Sequence, residues 1–182
     1  MRSSDDADYL NEYRRFLDKD LAKFVQDMSA LIDQSGARAR YFFAGNGASA
    51  AIASHLANDF SKALGLRATT FHDPAFLTCF ANDYGYPHWL EKTIELFGDA
   101  GDVVVLISSS GRSENIVNAA EAAAQKKMKV VLLCGPRPDP KIEAISQVVL
   151  KVQSDLYNII ECCHMIGLCA VVDRRNPARL SR

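Results

Sequence analysis

Long hydrophobic runs are absent from this 182-residue chain. No segment approaches the roughly 18–20 consecutive apolar residues of a membrane-spanning helix. The opening Met1-Arg2-Ser3-Ser4-Asp5-Asp6 lacks the apolar stretch of a signal peptide, so a cytoplasmic location is expected. There is no excess of either charge: 21 Lys and Arg stand against 22 Asp and Glu. No basic face for nucleic acid is therefore expected. No Cys-x-x-Cys pair of the zinc-site kind occurs among the five cysteines, Cys79, Cys134, Cys162, Cys163 and Cys169. All five lie in apolar segments and read as reduced, buried small hydrophobes. On a helix the neighbours Cys162 and Cys163 point about 100° apart, which disfavours a bridge between them. Linkers and repeats of fixed period are missing too, which leaves residues 1–182 as one domain, with 48% apolar residues to build its core. The basic stretch at the C-terminus is expected to fray over 175–182.

What is present alternates between two periods. Tyr9, Leu10, Tyr13, Phe16, Leu17, Leu21, Phe24, Val25, Met28 and Leu31 recur at three- and four-residue spacing, predicting one long helix from Asp5 to about Gln34. Short β-rich runs follow at 40–44, 67–71, 103–107, 130–134 and 148–152. Between them lie helical stretches at 48–64, 74–80, 87–97, 113–127, 141–146 and 155–173, with a turn over Asn82–Pro87. Val103-Val104-Val105-Leu106-Ile107 is uncharged and β-branched, as a strand buried on both faces would be. The order predicts a three-layer α/β/α sandwich around a mostly parallel five-stranded sheet.

Two Ser/Gly loops each follow a strand and open a helix: Gly45-Asn46-Gly47-Ala48-Ser49 and Ser108-Ser109-Ser110-Gly111-Arg112-Ser113. Free backbone N–H groups and the helix dipole favour an anion at such places. The second loop has four hydroxyls in six residues and no acid before Glu114, which suits phosphate oxygens better than a metal. A lone Ser at a helix start is usually a cap, but this run exceeds what capping requires. Gly45-x-Gly47-x-x-Ala50 also matches a short dinucleotide fingerprint, with Asp73 as the ribose-binding acid. The second loop, which such a protein does not need, speaks against that reading.

These two loops, together with Asn82-Asp83 and the run Gly101-Asp102-Val103 through Glu114-Asn115, resemble sugar isomerase (SIS) domains, and within them the phosphoheptose (sedoheptulose 7-phosphate) isomerases. The likeness runs from about Tyr9 to Asp173. It implies the SIS fold and a phosphosugar ligand, with Ser49, Ser108, Ser110 and Ser113 on the phosphate and Asn46 and Asp83 near the sugar. Gly47, Asn82 and Ser109 complete the candidate binding set. It also implies a homotetramer, or a dimer, with sites shared between subunits, for which the N-terminal helix (1–35) would be an interface.

Moving a proton between adjacent sugar carbons needs a base and a group that polarises the carbonyl. His55 and Asp59 share one helix face, and Glu161 and His164 form a second pair three residues apart. The resemblance implies a catalytic cluster, zinc-binding in some members, of His and Glu on the earlier helix and Gln and His on the last. Here Asp59 stands for the Glu, Glu161 for the Gln, and the last-helix His is missing unless His164 replaces it. His55, Glu161 and His164 are thus the catalytic candidates, and His55, Asp59 and Glu161 a candidate Zn²⁺ set. The expected activity is phosphosugar isomerisation; a non-catalytic module that binds phosphosugar or a protein partner is the alternative.

Overall fold

The computed structural model describes residues 3–176. At its centre lies β3 (Val103–Ser108), six consecutive buried residues. A strand with no solvent face needs neighbours on both edges and cover on both faces. The edges are filled by β1 (Arg40–Gly45) and β4 (Lys129–Cys134). With β2 (Arg67–Thr70) and β5 (Val148–Lys151) they make a five-stranded parallel sheet in the order β2-β1-β3-β4-β5. Register pairs Tyr41 with Val103 and Gly45 with Ile107, so β1 and β3 end side by side.

Alternation along the strands divides the core in two. Tyr41, Phe43, Val103, Val105, Ile107, Val131 and Leu133 point to one face, covered by α1 (Ser3–Lys19), α2 (Leu21–Asp33), α3 (Ala48–Leu64) and α8 (Tyr157–Arg175). Phe42, Ala44, Val104, Leu106, Val130 and Leu132 point to the other. There they meet α4 (Pro74–Tyr84), α5 (Trp89–Phe97), α6 (Glu114–Gln125) and α7 (Pro140–Ile145). The three layers and five strands agree with the reading of the sequence.

Three local expectations are corrected. The N-terminal helix is two helices, broken at Asp20. The stripe Tyr9, Tyr13, Phe16 next falls on position 20, which is an aspartate, and α2 opens a fresh buried face with Phe24, Val25, Met28, Leu31 and Ile32. Asn82, Asp83 and Tyr84 belong to α4, which runs on until Gly85 takes a φ of 82°. Cys79 and Cys162 are exposed and Cys169 is half-buried, whereas Cys134 and Cys163 are buried; none of the five forms a disulfide among the described residues. The expected frayed tail lies, from residue 177, outside the described residues.

One polar tie holds the lower edge of the sheet. Buried Asp102 accepts from the backbone N–H of Arg40 (2.8 Å), from the Arg40 guanidinium (2.6 and 2.9 Å) and from the N–H of Asp99 (3.0 Å). It joins the starts of β1 and β3 in one network. Without Asp102 two backbone N–H groups lose their acceptor and Arg40 keeps only its exposed partner Asp99. Asp102→Ala is expected to cost about 3 kcal/mol of unfolding free energy, read from denaturant midpoints.

Candidate active site

Both Ser/Gly loops emerge where the chain order reverses between β1 and β3, the crevice in which open α/β sheets bind ligands. Gly45 must be glycine, because a Cβ there would lie 2.7 Å from Ser49 and 2.8 Å from the Ile107 carbonyl oxygen. Gly47 takes a φ of 56° and turns the chain straight into α3. Gly111, at φ 63°, closes the second loop against Pro138.

Between the loops lies a cavity of about 310 Å³, bounded by Asn46, Ser49, Ser108–Ser110, Ser113, Tyr157 and Glu161. Its serines are arranged as donors. Ser108 Oγ already accepts the Gly111 N–H (3.2 Å) and Ser110 Oγ the Arg112 N–H (3.1 Å), so each hydroxyl proton is left to point elsewhere. Ser113 occupies the N-cap position of α6, yet its side chain makes no capping hydrogen bond. Capping therefore does not account for it. The first turns of α3 and α6 add their N-terminal N–H groups.

Asn46 is held by its neighbours. Its Nδ2 donates to Asn115 Oδ1 and its Oδ1 accepts from Asn115 Nδ2, both at 3.0 Å. The Tyr86 hydroxyl donates to the same Oδ1 at 2.9 Å. One Nδ2 hydrogen of Asn46 remains for a ligand. Across the cavity, Glu161, the one carboxylate in its lining, accepts from the Ser109 hydroxyl at 3.5 Å.

The family model of the SIS domain matches residues 7–135. The chain is 35% identical over 136 residues to the phosphoheptose isomerase of Histophilus somni, covering 71% of this chain and 69% of that protein. It is 34% identical over 156 residues to that of Leptospira biflexa strain Patoc 1, covering 79% of each. Its fold superimposes on phosphoheptose isomerase GmhA from Neisseria gonorrhoeae with a TM-score of 0.84 at 31% identity, over 94% of this chain and 96% of that one. The chain belongs to the SIS domain family, in its phosphoheptose-isomerase-like branch.

Not every residue singled out in the sequence reaches this SIS cavity. Asn82 and Asp83 sit exposed at the end of α4, where Asn82 Nδ2 donates to Asp83 Oδ1 (3.0 Å). His55 is on the outer face of α3, its side chain 53% exposed, with Nε2 3.6 Å from Asp59. His164 is fully buried in α8, its Nε2 donating to the Cys134 carbonyl at 3.2 Å and its Nδ1 unpartnered. That is the setting of a core histidine; the side chain does not line the cavity. Among the described residues no three His, Cys, Asp or Glu side chains gather around a point that could hold a metal ion. His55, Asp59 and Glu161 thus do not form a zinc cluster in this chain. Asp73 serves as the cap of α4, accepting the Ala75 and Phe76 N–H groups through Oδ1, so the acid of the dinucleotide reading is already engaged.

Conversely, Tyr157 lines the cavity and Asn115 and Tyr86 hold Asn46 at its edge, though the sequence did not mark them as ligand-binding. Asn115 stood next to the serine loop and one helical position from Glu114, so proximity was a usable signal. Tyr86 and Tyr157 carried none, being brought in by tertiary packing.

Burial pushes the His164 imidazole down to about 4 from an ordinary 6.5. Above pH 6.5 it is neutral folded and unfolded and adds no pH dependence. Below 6.5 only the unfolded chain takes up the proton, so stability falls until about pH 4, by about 3 kcal/mol in all. Denaturant titrations across that range should show this loss in the native protein and a flatter profile in His164→Gln.

Proposed function

We propose that this chain is an aldose–ketose phosphosugar isomerase acting on sedoheptulose 7-phosphate or a similar ketose phosphate. The observation that carries the reading is the cavity between the two loops. Its serine hydroxyls are oriented as donors, one of them standing at a helix start without capping it, and a single carboxylate faces them. The phosphate anchors on Ser49, Ser108, Ser110, Ser113 and the N-terminal N–H groups of α3 and α6. The free N–H of Asn46 takes an oxygen of the sugar. Glu161 removes the proton from the hydroxyl-bearing carbon beside the carbonyl and returns it to the former carbonyl carbon, while the hydroxyl proton passes from one sugar oxygen to the other.

The similarity to phosphoheptose isomerases supports the substrate class. We further infer that the chain works in the cytoplasm as a homotetramer or dimer in which His55 and Asp59 serve a site completed by a second copy. Leu10 and Leu17 on α1 are exposed, and α4 buries none of its residues although it carries Phe76, Leu77 and Phe80. Such faces suit a partner surface. A second reading, a binding protein without turnover, is favoured by one feature: no histidine lines the cavity of the single chain.

Incubation with sedoheptulose 7-phosphate followed by product analysis separates the two. Aldoheptose phosphate is expected. Glu161→Gln should lower kcat by about 100-fold or more, the usual worth of a positioned acid–base group. Ser113→Ala should chiefly raise KM, by about tenfold, for the loss of one hydrogen bond to a charged group. Tight binding without product would instead establish the binding protein.

A further inference from the structure

A second cavity, of about 160 Å³, adjoins the phosphate nest and shares Ser109, Ser110 and Tyr157 with it. Arg112, Arg137 and Asp155 form its outer wall. The nest itself contains no cation. This neighbour contains two, and their circumstances differ. Arg137 is tied to Asp155 in an ion pair, so the two charges offset each other. Arg112 donates its Nε–H to the Arg137 carbonyl at 2.7 Å, which fixes the plane of the guanidinium. Its Nη groups make no ion pair among the described residues. The serine loop thus carries a held, uncompensated fork of N–H donors one residue from Gly111, facing a pocket walled by two serine hydroxyls.

We propose that this pocket is a second anion subsite with Arg112 as its cation, and that the protein favours phosphosugars bearing a further anionic group. The proposal rests on the phosphosugar reading of the nest and adds a specificity to it. With the first phosphate on the nest serines, a second phosphate or a carboxylate would enter between Ser109–Ser110 and Arg112. A guanidinium recognises either in a two-pronged geometry that an ammonium cannot match. An Arg placed only for solubility would have no reason to be anchored through Nε beside the loop. The asymmetry of the two arginines says which one is available to a ligand.

Binding, not turnover, is the readout, because a phosphate ester on the hydroxyl beside the carbonyl leaves no O–H to become the new carbonyl, and 6-phosphogluconate has no ketone. Calorimetric titrations would compare sedoheptulose 7-phosphate, sedoheptulose 1,7-bisphosphate and 6-phosphogluconate on the native protein, Arg112→Gln and Arg112→Lys. At least one doubly anionic compound is expected to bind about tenfold or more tightly than the monophosphate; which one it is distinguishes a second phosphate from a carboxylate. That ratio should fall to about one in Arg112→Gln and stay intermediate in Arg112→Lys. Equal affinities in the native protein, or a ratio that Arg112→Gln leaves intact, would overturn the subsite while leaving the phosphosugar reading standing. Failure of all three compounds to bind would overturn that reading and the subsite with it.

Discussion

Everything at the site depends on the parallel pairing of β1 with β3. Their register ends Gly45 opposite Ile107, so the chain leaves both strands at the same height and on the same edge of the sheet. Neither loop alone makes a site. Side by side they enclose a cavity whose walls come from residues 46–49, 108–113 and the start of α8. Because β3 has no exposed residue, that pairing is held by both core clusters together.

Onto that frame the loops add orientation. The two exchanged hydrogen bonds between Asn46 and Asn115 clasp the β1 loop to α6, and the Tyr86 hydroxyl fastens the clasp from the far side. Fixing a polar group before the ligand arrives lowers the ordering cost of binding. The serines follow the same logic, since backbone N–H groups engage the oxygens of Ser108 and Ser110 and leave their protons to be donated. Arg112, anchored through its Nε, extends the pattern one residue outward.

Away from the cavity, aromatic packing leads from the core to the surface. Aromatic rings run from Phe42 in β1 through Phe71, Phe76 and Phe80 to Tyr84, each stacked or tilted against the next, and Phe97 joins from α5. The inner end of this ladder is core. Its outer end is a helix with no fully buried residue, whose Leu77, Phe80 and Ala81 are half-buried against the core, and exposed His55 stands beside half-buried Asp59 on α3.

Strand positions, the layer order and the two phosphate-type loops were legible because they are written in local chemistry. A β-branched run, a period of two or near 3.6, and small residues ahead of a helix each act within a few residues. The break at Asp20 was legible in principle, as the one polar residue on an apolar stripe. Other features depended on distances across the fold. His55 and His164 carry the same side chain, but only the packing of α8 against β4 buries His164 and makes its proton costly to hold. Asn82 and Asp83 look like a turn until the helix before them is seen to continue to Gly85. Asn115 and Tyr86 meet Asn46 across 69 and 40 residues of sequence. By itself, then, the sequence determined the fold class, the sheet and the two loops that bound the cavity, since backbone period and loop composition act locally. Which side chains line that cavity, and which are core, was decided only in the tertiary structure, because burial and convergence are properties of the packed chain.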